Sequence, residues 1–403
     1  MAVKDEIGRG RGGIGKNPAR SRDHNRRVVL DLLRQNGPQG RKELAEATQL
    51  SSPAVANILD ELLAEGLILD LGRRRAGRGQ PPLHFALNPE GAHTFGFEIG
   101  VNGIVTVVLD LLGNPVTQRR SDPESLAPED CLRLLQSEIA ALRADAAGQL
   151  LGIGVVLPGP FSTDAQRAAD PTTLQGWEDV SAQSLSEALG HPVWMENDAN
   201  AAALSEALFG AAAQLHHAAV IYFGEGVGLG VLNEGRLLRG ARGNAGEIGH
   251  IVTVPNGRPC PCGQRGCFER YVSRHALAEA LGMTLRPGAI GRLWQEQDPR
   301  LLGWIAEAGR HLAPMAAMIE NMLDPESIII AGQLPAPVIE ALIAAVPLVP
   351  SVAAHPARAL PRLCLGQSGA FTAALGAAAL PLYEALTPQS WVAQPDSARG
   401  GEA

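Results

Sequence analysis

Long apolar runs are missing from this chain of 403 residues. No stretch reaches the roughly 18–20 consecutive apolar residues that cross a bilayer, so no membrane span is expected. The first residues, MAVKDEIGRGRGGIGK, are charged and glycine-rich and lack an apolar core, so a secretory signal is not expected there. Cysteine is scarce, five in the whole chain. That disfavours the disulfide framework of a small secreted domain and fits a cytoplasmic, nucleoid-associated protein that uses thiols for metal. Net basic charge is lacking too, at −8, but the balance is uneven. Residues 1–90 hold 15 Lys/Arg against 11 Asp/Glu, and the remainder holds 19 against 31. A basic front on an acidic body confines any polyanion partner to the front. The competing reading is a solvated basic tail with no partner.

The length allows two or three domains. Residues 1–20 read as a disordered basic arm, too poor in apolar groups to order itself. Val28, Val29, Leu32 and Leu33 then recur at helical spacing, and Gly37-Pro38 ends that helix. In RKELAEATQLSSPAVANILDELLAEGLI, Leu44, Ala45, Leu50, Val55 and Ile58 fall where a helix-turn-helix needs small and apolar contacts. Ser52 can cap the second helix and Pro53 suits its first turn. The DNA-facing positions are then Ser51, Ser52, Ala56 and Asn57, in the major groove of a double-stranded operator. Gln49 stands where the turn usually has glycine. Two short strands, 67–71 and 83–87, flank GRRRAGRGQPP, and this makes a basic wing. Arg73, Arg74, Arg75 and Arg78 would meet phosphates or a minor groove. Residues 21–89 therefore read as an all-α-plus-wing winged helix-turn-helix, for DNA binding or as an oligomerisation unit.

After Asn88-Pro89 the pattern becomes α/β, with strands at 94–99, 104–109, 151–157, 218–223, 228–232, 328–331 and 363–365. Helices are expected at 129–147, 199–209, 274–281, 289–297, 300–323 and 372–386, and 388–403 reads as a disordered tail. The hairpin turn Gly224-Glu225-Gly226 can wrap phosphate with its backbone N–H groups, or be a plain hairpin. Between these elements lies GEIGHIVTVPNGRPCPCGQRGCFE, with His250, Cys260, Cys262 and Cys267 within 18 residues. Three thiolates and an imidazole can close a tetrahedral zinc site. The alternative is three small buried hydrophobes in a Gly/Pro turn.

Five segments carry a resemblance: GIGVVLPG at 152–159, ENDANAAA at 196–203, 224–235, RGARGNAGEIGH at 239–250 and CPCGQRGCFE at 260–269. Over residues 92–385 the chain resembles the ROK family of repressors and sugar kinases. The resemblance implies an actin-like, ribonuclease H-like fold of two lobes. The smaller is 91–210 with 370–387, and the larger is 211–369. It also implies a sugar cleft between the lobes, a structural Zn²⁺, and a homodimer or dimer of dimers. On the family's pattern Asn197, Asp198, Glu247, His250 and Glu269 contact sugar hydroxyls. Thr172 is retained and Thr173 replaces an asparagine. Carboxylates and an amide suit the paired donor and acceptor hydroxyls of a pyranose.

Asp198 occupies the family's general-base position, which in a kinase takes the proton of the attacking hydroxyl. The first phosphate loop, D-x-G-x-T in kinases, reads Glu98-Ile99-Gly100-Val101-Asn102, and the second, GTGxGxG, reads with Glu225 for the hydroxyl residue. A carboxylate beside polyphosphate costs on the order of 4 kcal/mol per charge pair at about 4 Å and an effective dielectric near 20. The expectation is a sugar-responsive repressor with no catalytic residue in use. The alternatives are an active sugar kinase with a DNA-binding appendage, and a module whose site is vestigial.

Overall fold

A computed structural model of the protein describes residues 18–73, 83–101, 103–143, 148–159, 161–162, 167–168, 174–354 and 360–386. The chain divides at Leu87/Asn88 into a front unit and a back unit that runs to Glu384.

The front unit is α1 (Pro18–Asn36), β1 (Gln39–Gly40), α2 (Arg41–Thr48), α3 (Ser52–Ala64), β2 (Ile68–Arg73) and β3 (Leu83–Leu87). The first helix reaches back to Pro18, into the stretch expected to be a disordered arm. Val29, Leu33, Leu44, Val55, Leu59 and Leu62 are buried and hold the three helices together. Arg26 on α1 donates to Glu65 on α3 at 2.7 Å. The cap of α3 is Ser51, not Ser52, because Ser51 is extended and its hydroxyl accepts from the Ala54 N–H. Gln49 takes the left-handed conformation (φ 56°) that the missing glycine would have supplied. Strand β3 pairs with both β1 and β2, so the wing's two strands are joined to the helices.

The back unit holds two five-stranded sheets. The first uses β4 (Ala92–Gly100), β5 (Gly103–Asp110), β6 (Pro115–Ser121), β7 (Gln149–Leu157) and β10 (Val193–Asn197), in the order β10-β7-β4-β5-β6. Within it come α4 (Pro128–Arg143), a two-residue ribbon of β8 (Phe161–Ser162) with β9 (Arg167–Ala168), and α5 (Ala182–Leu189). Helix α6 (Asp198–Phe209) leads onward to the second sheet. That sheet uses β11 (Ala218–Phe223), β12 (Val227–Asn233), β13 (Arg236–Leu237), β14 (Ser327–Gly332) and β15 (Leu363–Leu365), in the order β13-β12-β11-β14-β15. Helices α7 (Arg274–Leu281), α8 (Ala289–Gln295), α9 (Pro299–Leu323) and α10 (Ala336–Ala345) accompany it, and α11 (Thr372–Leu386) ends the described chain. Both sheets have one plan: three antiparallel strands in a meander, then two parallel strands added at the first strand's free edge.

The outer face of the first sheet packs Phe95, Phe97, Ile153 and Val155 against Cys131, Leu135 and Leu185 of α4 and α5. The second packs Ile221, Phe223, Ile328 and Ile330 against α7–α10. A third cluster joins Val156, Val220, Tyr222 and Ile329 to the alanines of α6 and α11. Those helices are alanine-rich because backbones must approach closely there. A Cβ at Gly376 would lie 1.8 Å from the Ala201 carbonyl oxygen, and one at Gly154 would lie 1.8 Å from that of Ala377. Gly369–Leu386 is long and apolar enough to cross a membrane by length and composition, but 67% of it is buried inside the protein. It is a core helix of this unit. Sequence periodicity also misses β6, which has no buried position, and α5 and α10.

Candidate functional site

Parallel strands β4, β7, β10, β11 and β14 end on one side of the two sheets, and open α/β sheets bind ligands outside those carboxyl ends. Here the sequence places Glu98, Asn197, Asp198 and Gln333, with Gly159 and Gly224. Asn197 caps α6, its Oδ1 accepting from the Asn200 N–H at 3.0 Å. This fixes the side chain with Nδ2 toward Gly159. A Cβ at Gly159 would stand 2.7 Å from Asn197 Nδ2 and 3.3 Å from Glu247 Oε1. The END segment and the GEIGH segment therefore meet over a glycine that leaves room between them. Arg239 donates to Glu196 at 2.7 Å and ties the loop before Glu247 to the end of β10.

Asp198 points one oxygen at its own helix, accepting from the Ala199 N–H at 2.8 Å, and the other at the β11–β12 turn. A Cβ at Gly224 would lie 3.1 Å from Asp198 Oδ2. Burial, then the charges of Glu98 and Glu247, push the Asp198 carboxyl up to about 7. Burial also raises Glu247, with the neighbouring Glu269 adding to it and His250 opposing.

Glu269 sits between this cleft and the cysteine cluster. Its Oε1 accepts from Cys260 Sγ at 3.0 Å and lies 3.4 Å from His250 Nδ1, while a Cβ at Gly226 would be 2.9 Å from its Oε2. Glu269 is thus in contact with the ligand cluster rather than set apart from it. The ligand atoms of His250, Cys260, Cys262 and Cys267 all lie within 4.8 Å of one another. Cys262 and Cys267 Sγ are 3.6 Å apart, and Cys260 Sγ is 3.7 Å from His250 Nδ1. A tetrahedron with Zn–S bonds of about 2.3 Å has edges of roughly 3.8 Å, so the donor set has the right size for that ion. Gly266 (φ 87°) permits the tight return, since a Cβ there would fall 1.7 Å from the Val254 carbonyl oxygen. Burial raises the Cys262 thiol, but donation from the Gln264 backbone, Cys260 and Cys267 outweighs it and brings the thiol down to about 7.

The altered phosphate-loop residues are not unpaired charges. Glu225 accepts from Arg274 Nη1 at 2.5 Å, and the same nitrogen donates to Gln333 Oε1 at 2.6 Å. Gln333 Nε2 in turn donates to Glu98 at 2.8 Å, and Tyr222 Oη donates to Glu98 at 3.0 Å. Burial raises the Glu98 carboxyl, and it raises the Tyr222 phenol well above its ordinary range. Glu225, expected from the sequence to repel a nucleotide, is thus paired with Arg274. Sequence reading singled out Glu98 and Glu225 but not Arg274 or Tyr222, whose partners are brought together only by the sheet.

Ser51, Ser52 and Asn57 are exposed and Ala56 is half-buried, on the first two turns of α3. Arg73 ends β2 opposite Leu83. Arg74, Arg75 and Arg78 of the wing lie outside the described residues, as do Thr172 and Thr173.

Residues 94–383 match the family model described as ROK family, and residues 22–68 match one described as winged helix-turn-helix DNA-binding. The chain is 29% identical over 317 residues to the xylose repressor of Bacillus subtilis, covering 77% of this chain and 82% of that one. Among solved structures it is similar to a ROK family transcriptional regulator described as a homolog of the E. coli MLC protein. That likeness has a TM-score of 0.71 and 25% identity, covering 91% of this chain and 98% of the other. It is also similar to a ROK hexokinase from Thermus thermophilus, with a TM-score of 0.57 and 29% identity over 72% of this chain and 98% of the other.

Proposed function

The chain belongs to the ROK family and carries a winged helix-turn-helix in front of the family domain, and on that premise we propose that it is a sugar-responsive, DNA-binding transcriptional repressor of carbohydrate uptake and metabolism genes. The observation that carries the reading is the meeting of Asn197 and Glu247 over Gly159, beside Asp198 and Glu269. These groups bind sugar hydroxyls, with Thr172 and Thr173 as further candidates. A site of this kind discriminates by hydroxyl pattern, since each unmatched polar group is costly. His250 uses Nδ1 for Zn²⁺ and keeps Nε2 for the ligand, so metal binding fixes its tautomer. The Zn²⁺, held with Cys260, Cys262 and Cys267, is structural and supplies no chemistry. It mounts Glu247, His250 and Glu269 on one rigid loop.

Ser51, Ser52, Ala56 and Asn57 face the major groove, and Arg73, Arg74, Arg75 and Arg78 face the phosphates. The protein acts in the cytoplasm, on the nucleoid, as a homodimer or dimer of dimers matched to a twofold operator. Sugar binding favours one arrangement of the lobes 91–210 with 370–387 and 211–369, and that preference is what couples the cleft to DNA. The chain is not a kinase in this reading. What supports this is the Glu225–Arg274–Gln333–Glu98 relay, which already satisfies the groups that would meet phosphates.

DNA fragments selected by the protein should be released by the cognate sugar. Glu247→Ala and Asp198→Ala should each abolish release while leaving sugar-free DNA binding intact. If both variants still respond, the cleft assignment fails. Incubation with ATP-Mg and the same sugar should give no sugar-dependent ADP, and steady turnover would replace this reading with the kinase one.

A further inference from the structure

The β11–β12 turn is walled by carboxylates on several sides. Asp198 Oδ2 faces Gly224, and Glu269 Oε2 faces Gly226. Glu225 belongs to the turn itself, and Glu98 reaches it through Tyr222, the last residue but one of β11. The charge of Glu98 acts on Asp198, whose carboxyl is raised by burial and then by that charge, while burial raises Glu98. Among the described residues, the guanidinium nearest the turn is that of Arg274. It is mostly buried and its Nη1 is engaged by Glu225 at 2.5 Å and by Gln333 at 2.6 Å. Arg120 acts on Glu98 by charge alone, from an exposed position on β6, and His250 acts in the same way on Glu247.

The geometry points to an unphosphorylated, uncharged sugar as the ligand, with a phosphate ester on the hydroxyl facing Asp198 excluded. This deepens the sugar-cleft reading above and rests on it. Between Asp198 and the turn, an ester phosphate would meet the carboxylates of Asp198 and Glu269, while the guanidinium at the turn, that of Arg274, is already held by Glu225. A site can take a dianion by offering unpaired N–H groups or a guanidinium fork. This one offers its guanidinium to its own carboxylate. Discrimination of this kind works by repulsion of the wrong ligand as much as by attraction of the right one. A neutral hydroxyl, by contrast, donates to Asp198 when that group is ionised and accepts from it when it is protonated, so it is bound in either state. Glu225 is therefore a specificity-determining residue that touches no sugar: it withholds Arg274 from the ligand.

The test is calorimetry on the full, zinc-loaded chain with D-glucose, N-acetyl-D-glucosamine and the 6-phosphates of both. At least one free sugar should bind, with its 6-phosphate weaker by on the order of a hundredfold in low salt. Glu225→Gln keeps the shape of the turn and frees Arg274, and should strengthen binding of the 6-phosphate by about tenfold while changing the free sugar by less than about twofold. Glu98→Gln, which retains an acceptor for Tyr222 and Gln333, should narrow the gap in the same direction. A 6-phosphate that binds the unaltered chain as tightly as the free sugar overturns the inference and leaves the sugar cleft standing. So does a Glu225→Gln variant that binds free sugar normally and gains nothing for the ester. If no member of the panel binds, or if the free sugar binds equally well to Asp198→Ala combined with Glu247→Ala, the cleft reading fails and the inference falls with it.

Discussion

Asp198 shows how much a single side chain can change role with its surroundings. An ordinary aspartate titrates near 3.8, and burial with two neighbouring carboxylates moves this one to about 7. A raised carboxyl means that the folded state prefers the protonated form. The contribution to stability is then fully present at pH below about 3.8 and is lost as pH rises through about 7. Asp198→Asn should therefore raise the melting temperature at pH 8 by about 2–4 °C, the shift that roughly 1 kcal/mol gives in a domain of this size. At pH 5 the gain should be clearly smaller. Thermal unfolding at both pH values checks this, and an equal shift at the two would mean that charge is not the cause. Asp198 was singled out as a candidate from its motif. Its unusual titration was not legible there, because Glu98 and Glu247 reach it from segments remote in sequence.

At the scale of elements, the cysteine loop and the two sheets differ in how openly they announce themselves. The loop's four ligand residues lie within 18 positions, so local spacing alone proposed the cluster, and the fold draws their donor atoms within 4.8 Å. Cys262→Ser should abolish stoichiometric zinc and lower the melting temperature of the back unit, because a bound ion stabilises only the folded state. Elemental analysis before and after chelator treatment checks it, and a chain that holds no zinc when folded removes the site. Helix α6 is a contrasting case. Glu206 near its end is fully buried and accepts from the N–H groups of Ala211, Gln367 and Ser368 at 2.7, 3.0 and 2.9 Å. It ties the strand leaving α6 to the one entering α11, and no local pattern marks it.

For the whole molecule, charge asymmetry is the property with a direct consequence for binding. An acidic chain with a basic front should hold DNA through the front alone. The logarithm of the DNA affinity should fall linearly with the logarithm of salt, with a slope of about −0.9 for each phosphate neutralised. Removing Arg74 and Arg75 together should make that slope shallower by about 2 and weaken all sequences nearly alike. A titration series across salt concentrations reads both quantities, and an unchanged slope would take the wing off the phosphates.

The sequence by itself determined the front unit's helices, the α/β alternation of the back unit, and the four residues of the His/Cys cluster. These rest on short-range rules of helical and strand period, caps, and donor spacing, which need no knowledge of the rest of the chain. Only the tertiary structure decided that Ser51 and not Ser52 caps α3, and that the apolar helix Gly369–Leu386 is buried core. It alone placed Arg274 and Gln333 between Glu225 and Glu98. The physical reason is common to the last two. Burial and pairing depend on which strands lie side by side, and strand order is set by packing of whole sheets rather than by any local run of residues.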